Sequence, residues 1–354
     1  MELLNLTLVN FRNFANKKVV FDKELTVILG ENGSGKSNII GAIGLLSAVK
    51  LWPVESDLDF IRFGQSEAKV EGKVEGDEVK VLTINFQVID ETYIKKAYFV
   101  DSIKKRLFDF RNFLSMVVFE PSDLDLVTGS PSLRRHHLDI LLSSVDREYW
   151  RSLYSYNKVI TRRNKVLLRI QEGKAKKAEL DFWDGRLLEH GKVVSEKRKE
   201  LFEFLNFVEP SYAKASEGKK RTIPDLSWSL VQSVLTEEKI EKNRDRDIAA
   251  GMTLSGPQRD DFKFLSRGKN LEYFGSRGEQ RMAVLALKLA ELEFFSVKRQ
   301  ARPILALDDI FSELDWDHRR AVLDVIGNQQ TIITAAEADS VPKGVLKKSK
   351  VVEL

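Results

Sequence analysis

The chain has 354 residues, of which 43% are hydrophobic and 31% charged, with a net charge of +4 and a pI near 8.9. That is enough for one large domain or two lobes, and too apolar for a disordered chain. The absence of cysteine and the four scattered histidines exclude disulfides, a thiol nucleophile and a thiolate site, and leave no spacing for a structural zinc. No apolar stretch approaches bilayer length, and the opening MELLNLTLVNFRNF is broken by Asn and Arg before a signal-peptide core can form. The expectation is a soluble cytoplasmic protein with no membrane partner.

In chain order, LLNLTLVNF, KVVF and LTVILG read as strands, and SNIIGAIGLLSAV as an apolar helix. From Ala68 to Val100 hydrophobicity alternates with period two, which predicts an antiparallel meander. Its VEGKVEG is too short to mean a repeat array. After about Asp101 the pattern turns mostly helical. Trp150, Leu153, Asn157, Ile160, Asn164 and Leu167 keep a 3-4-3-4 spacing, and so do Leu180, Trp183, Leu187, His190, Val194, Lys197, Leu201 and Phe204. With the polar turn QEGKAKKA between them, they predict an antiparallel helical arm over about 148–208, projecting from or packed on the main body. Polar positions in both seams predict modest stability. SYAKASEGKKRTIP, 211–224, predicts a mobile loop. DFKFL then reads as a strand, and FGSRGEQRMAVLALKLAE as an apolar helix opened by small polar residues. RPILALDDIFSELD reads as a buried strand ending in acids, WDHRRAVLDVI as a helix and QTIITAAEA as a final strand.

Two of these stretches carry phosphate chemistry. Gly30-Glu31-Asn32-Gly33-Ser34-Gly35-Lys36-Ser37 fits G-x-x-x-x-G-K-[ST] and sits between a predicted strand and a predicted helix, which is the setting this motif requires. Its glycines let backbone N–H groups curl around a phosphate, Lys36 can reach the β- and γ-phosphates, and Ser37 can ligate Mg²⁺. Hydrolysis also needs an acid on the metal side and a base for water. Ile304 to Leu307 form an apolar run from which Asp308 and Asp309 emerge, at the strand end where open α/β sheets bind ligands. Asp308 is the candidate metal acid and Asp309 the candidate catalytic carboxylate, beside Lys36.

Ser276-x-Gly278-x-Gln280 before a helix, then Asp308-Asp309, then SELD from Ser312 to Asp315 follow the phosphate loop in the order of an ABC-type ATPase head with its signature and D-loop. Roughly 240 residues separate loop and signature, more than in transporter nucleotide-binding domains and fewer than in the long coiled-coil chromosome-structuring relatives. NFRNF, GENGSGKSN, FEPSDLDLVTGSPSLRRHHLD, GPQRDDF, FGSRGEQR and ALDDIFSELD, in that order, closely resemble the RecF family of bacterial recombination mediators. The resemblance implies an α/β fold of the P-loop NTPase class: an ABC-ATPase-like head with an inserted, mainly helical second lobe. Lobe I is expected over 1–110 and 300–354, and lobe II over 111–299 with the arm and the signature at 274–281. It implies ATP and Mg²⁺ as cofactors and an ATP-dependent homodimer that grips double-stranded or gapped DNA. Slow ATP hydrolysis, action with RecO and RecR, and loading of RecA at gaps are implied as well. By position, Gly30 to Ser37 and Asn38 would hold the nucleotide, Arg12 and Asn13 would approach its base, and Ser276, Gly278, Gln280 and Asp315 would act across the dimer. The chain departs from the family at Gln258, where His is usual. It has no His after its last strand, where Thr334 is the nearest polar residue, and no Gln in MVVFEP.

Lys158 to Lys177 holds eight basic residues and one acid, Glu172, and so predicts salt-dependent, sequence-independent DNA binding. Arg162, Arg163, Lys174, Lys176 and Lys177 are the candidate contacts; a solvated helix face is the plain alternative. Arg134 and Arg135 fit interlobe packing or a dimer contact equally, and His136 and His137 fit helix or surface positions. A transporter motor would need a membrane partner, against which the long basic insertion argues. A nuclease subunit would need a further acid-rich metal domain, for which the chain has no room after Asp309.

Overall fold

Alternating burial over the first hundred residues produces a sheet with one face against a core. The computed structural model describes residues 1–47, 57–90, 93–208, 225–313, 319, 322–323 and 326–354. Strands β1 (Glu2–Phe11) and β2 (Phe14–Val20) form a hairpin, followed by β3 (Leu25–Leu29) and helix α1 (Lys36–Leu46). β4 (Glu67–Glu75), β5 (Val79–Val88), β6 (Ile94–Val100) and the short β7 (Ile103–Lys105) make the expected meander. The sheet order is β2-β1-β4-β5-β6-β7, antiparallel throughout. Its buried face (Leu6, Leu8, Val70, Leu82, Ile84) shares one core with Ile39, Ile43 and Leu46 of α1. Gly72 is what lets α1 lie this close: a Cβ there would sit 2.5 Å from Leu46 Cδ1 and 3.0 Å from Leu3 Cδ1. β8 (Met116–Phe119), all four residues buried, comes next; four apolar residues carry no periodicity to mark them as a strand.

The chain divides into two compact units, one of Met1–Asp123 and Leu285–Leu354, the other of Leu124–Val208 and the described part of Arg221–Val284. The second unit contains α2 (Pro131–Val145), α3 (Arg147–Gln171), α4 (Asp181–Phe207), β9 (Ser227–Val231), α5 (Glu237–Ala250), β10 (Asp261–Ser266) and β11 (Lys269–Asn270). β11-β10-β9 form a small antiparallel sheet. Helix α6 (Arg277–Arg299) carries the chain into the first unit. The arm hairpin of α3 and α4 is packed, with Ile240 of α5 in its core beside Tyr156, Val159 and Leu187.

Its seam coincides with the expected one at Leu167, Leu187, Val194 and Leu201 and elsewhere lies about one residue away. The buried positions of α3 are Tyr149, Ser152, Tyr156, Val159, Arg163 and Leu167, and those of α4 include Asp184, Leu187, Gly191, Val194, Arg198 and Leu201. Hydrophobicity misplaces the stripe because two arginines and two tyrosines occupy it, each held by polar partners.

β12 (Ile304–Asp308), β13 (Thr331–Ala335) and β14 (Lys350–Glu353) complete an all-parallel sheet of order β14-β3-β13-β12-β8. β8 is its edge, paired to β12, so residues 111–123 stand with the first unit and not with the helical lobe. The expected loop 211–224, most of WDHRRAVLDVI, and Asp315 lie outside the described residues. No described helix is long and apolar enough to cross a membrane.

Candidate functional site

Three neighbouring parallel strands, β3, β13 and β12, deliver the site residues to one edge of the sheet. β3 ends at Leu29, and Gly30 N–H donates to Ala335 O of β13 at 3.3 Å. The chain then curls through Gly33 (φ +85°) and Gly35 (φ +108°) into the first turn of α1. At Gly35 the demand is double, because a Cβ would also meet the Phe14 ring at 2.5 Å. Lys36 is buried, and its Nζ donates to Gly30 O (2.5 Å) and Glu31 O (3.0 Å), spanning the mouth of the loop. Ser37 is exposed in the first turn of α1. Ser34 Oγ is buried and has no hydrogen-bond partner among the described residues.

The β1–β2 turn lies over this loop. Asn13 Nδ2 donates to Ser34 O (3.0 Å), and Asn38 Nδ2 donates to Asn13 Oδ1 (2.8 Å), so Asn13 ties the turn to the loop and to α1. Arg12, in the left-handed region at φ +49°, sets its guanidinium 5.6 Å from the Phe60 ring centroid. Burial, partly offset by Asp59, pulls that guanidinium below its ordinary range.

At the end of β12, Asp308 is buried and accepts from Thr334 Oγ1 of β13. The same oxygen accepts from Asp309 N–H at 3.0 Å, while Thr334 O takes that N–H at 3.2 Å. Thr334 therefore fixes both acids. Asp309 has φ +51°, a conformation that costs a non-glycine residue about 1–2 kcal/mol.

A carboxylate cluster that the sequence reading missed adjoins them. Phe119 pairs with Leu307 in the parallel register, so Glu120 leaves β8 alongside Asp308. Burial first and Asp123 second push the Glu120 carboxyl up to about 7. Asp123 in turn binds Lys288 Nζ of α6 at 2.8 Å, with Glu291 at 4.0 Å. Lys288 and Glu291 are both buried. Burial pulls the Lys288 ammonium down, but the surrounding carboxylates outweigh it and raise it above its ordinary range. The available signal was a lysine and a glutamate inside the apolar run AVLALKLAELEFF.

The signature residues divide. Ser276 Oγ and N–H both donate to Glu279 Oε2 at 2.8 Å, and Glu279 N–H donates back to Ser276 Oγ at 3.3 Å. This is a capping box on α6, which accounts for the polar opening of an apolar helix. Ser276 is exposed and Gly278 half-buried. Gln280 is buried with its Nε2 donating to Leu271 O at 2.9 Å, so it braces its own unit and is removed from the nucleotide set. Gln258, half-buried, accepts from Tyr156 Oη and donates to Ser255 O (3.0 Å) and Thr253 O (3.3 Å).

Arg163 is removed from the DNA candidates. It is fully buried and bonded to Asp184 and Asp247 at 2.7 Å and to Thr253 Oγ1 at 2.9 Å. Arg162, Lys174, Lys176 and Lys177 are exposed. Lys174 pairs with Glu172 at 2.8 Å and Lys177 with Asp245 at 2.6 Å, and both pairs are open to solvent. Arg134 is buried on Asp261 within the second unit.

The model of the RecF/RecN/SMC N-terminal domain family matches residues 2–351. A DNA replication and repair protein RecF from Moorella thermoacetica is 34% identical over all of this chain and 95% of its own length. One from Bacillus cytotoxicus is 34% identical over all of this chain and 97% of its own. A solved structure of the recombination mediator protein RecF with ATPrS in the RecFOR pathway is 28% identical and covers 96% of this chain and 94% of its own, with a TM-score of 0.86. The corresponding RecF–ATP structure gives 0.83, again at 28% identity, over 96% of this chain and 93% of its own. The Smc head domain of Pyrococcus furiosus, 19% identical at a TM-score of 0.51 over 99% of this chain and 93% of its own, shares the fold.

Proposed function

The chain belongs to the RecF/RecN/SMC N-terminal domain family, among its RecF members, and from that premise we propose that it is an ATP-dependent DNA-binding switch of recombinational repair and replication-fork maintenance. One observation carries the reading: the Gly30–Ser37 loop and the Asp308–Asp309 carboxylates stand at the same edge of one parallel sheet, joined through Thr334. The loop fits a polyphosphate. Its glycines hold the required backbone, and among the described residues Ser34 Oγ lacks a partner and the Lys36 ammonium meets carbonyl acceptors that a phosphate oxygen can replace. When bound, Mg²⁺–ATP supplies the phosphoryl group whose slow hydrolysis resets the switch.

Lys36 would turn its ammonium from Gly30 O and Glu31 O to the β- and γ-phosphate oxygens, and Ser37 and Asp308 would hold the cation. Asp309 orients the attacking water and accepts its proton. Ser276 and Gly278 of a second copy close the site, for which Ser276 must redirect its single hydroxyl proton from Glu279 to the γ-phosphate, and Asp315 would act across the same dimer. Arg162, Lys174, Lys176 and Lys177 neutralise phosphates of double-stranded or gapped DNA, and the complex works with RecO and RecR to load RecA.

Sedimentation with ATP tests this reading. Wild-type chain is expected to dimerise, Lys36→Ala to stay monomeric without nucleotide, and Ser276→Arg to bind ATP as a monomer. A dimeric Ser276→Arg chain would overturn the assignment across the dimer. Unchanged affinity for duplex DNA with and without ATP would overturn the switch.

A further inference from the structure

Two stretches singled out in the sequence meet in the second unit without reaching the nucleotide site: the PSLRRHHLD end of the first, from Pro131 to Asp139, and GPQRDDF. There they line a cavity of about 310 Å³. Ser132, Arg135, His136 and Asp139 of α2 face Pro257 and Gln258, and Leu153, Tyr156 and Asn157 of α3 with Arg198 of α4 close the sides. The cations are arranged unequally. Arg198 is buried and held by Asp139 Oδ1, Asp260 Oδ2, Pro257 O and Tyr149 Oη. Asp139 also accepts from Tyr149 Oη, so its charge is already committed within the wall. Arg135, half-buried, donates from Nη1 to Asp260 O at 3.0 Å, and among the described residues no carboxylate pairs with its other donors. Burial first, then the neighbouring Arg198 and Arg259 guanidiniums, pull Arg135 below its ordinary range in spite of Asp261 and Asp139.

A guanidinium crowded by two others and lacking a carboxylate of its own is relieved by a bound anion, and its planar fork matches a phosphate. Exposed His136 and the Ser132 hydroxyl, one turn earlier, add donors at the same rim. The cavity exceeds one phosphate, and the Tyr156 ring and Leu153 offer it an apolar wall with the Asn157 amide beside them. We propose that this pocket binds a phosphate ester of nucleotide size, with Arg135 as its main phosphate ligand and Ser132 and His136 as secondary ones. The ester is either a free mononucleotide or the 5′-phosphorylated end of a strand, and it is distinct from the ATP held at Gly30–Ser37.

Calorimetric titration of the full Lys36→Ala chain keeps the two sites apart. The probes are thymidine 5′-monophosphate, a 5′-phosphorylated thymidine trinucleotide and the same trinucleotide without its 5′-phosphate. The unphosphorylated trinucleotide is expected to bind on the order of tenfold more weakly than its phosphorylated form. Arg135→Ala is expected to remove that difference and Arg135→Lys to restore part of it. Because Arg135 also bonds Asp260 O, circular dichroism accompanies each variant; where Arg135→Ala does not fold, Ser132→Ala and His136→Gln carry the test, each with about a threefold loss. Binding of the monophosphate alone assigns the free nucleotide, and binding of the phosphorylated trinucleotide alone assigns the strand end. Equal affinity of the trinucleotide with and without its phosphate when the monophosphate does not bind either, or a phosphate preference untouched by every folded variant, overturns the proposal. Neither result bears on the ATP site.

Discussion

The two units place buried charge in opposite ways. In the first, Lys36, Asp308, Asp123, Lys288 and Glu291 gather at or beside the ends of parallel strands, whose interiors carry no charge. In the second, Arg163 and Arg198 lie within the seam of the helical hairpin, where an apolar knob would be expected, and bond Asp184, Asp247, Asp139 and Asp260. Charge at the rim of a complete core can be spent on a ligand; charge inside a core must satisfy its neighbours. The same residue types thus serve chemistry in one unit and cohesion in the other.

Removing a seam arginine gives the largest effect expected. Arg198→Ala leaves Asp139 and Asp260 without their cation and should cost about 3–5 kcal/mol of stability. Thermal unfolding checks this, and a loss below about 1 kcal/mol would mean that the hairpin does not depend on its interior charge. Lys36→Ala, on the other side of the comparison, should lower ATP affinity by on the order of a hundredfold while shifting the melting temperature little, because Lys36 bonds only two loop carbonyls. Nucleotide titration and calorimetry on one sample separate the two effects.

Glu120 sharpens the contrast through pH. Its carboxyl sits at about 7 in the folded chain against an ordinary 4.5, so between those values the folded state keeps a proton that the unfolded state has released. That contribution is fully present below about 4.5 and is lost as pH rises through about 7. Glu120→Gln should therefore flatten the fall in melting temperature across that window; an unaltered profile would place the titration elsewhere. The smallest effect belongs to the arm surface. Each of Arg162→Ala, Lys174→Ala, Lys176→Ala and Lys177→Ala should reduce the slope of log affinity for duplex DNA against log salt by up to about 0.9. The pairs Lys174–Glu172 and Lys177–Asp245 make the lower end of that range the expectation for those two. A slope unchanged in the fourfold variant would move the DNA surface off the arm.

The difference between the units also sets how far each can be read from sequence. The phosphate loop was legible because its requirement is local: eight consecutive residues between a strand and a helix make the whole cradle. Asp308 and Asp309 were legible because an apolar run announces the strand that carries them. The role of Thr334 as the clamp on both acids was hidden, since it depends on β13 lying between β3 and β12. Glu120 was missed with its strand, as MVVF gains meaning only when β12 lies beside it. The arm failed for a related reason. Its helices were found, but the stripe was drawn through Asn157 and Asn164 and not through Tyr156 and Arg163, because hydrophobicity cannot anticipate a buried arginine whose aspartates come from two other helices.

By itself, the sequence determined the phosphate loop, the paired acids, the meander and the helical arm, all of which rest on contacts within a few residues or on a repeating period. Tertiary structure alone decided which charges face ligands and which are consumed inside. It brought Glu120 and Lys288 toward Asp308, took Arg163 and Gln280 out of the surface, and set Arg135 at the mouth of a cavity. The physical reason is that whether burying a charge is tolerable depends on partners far away in sequence.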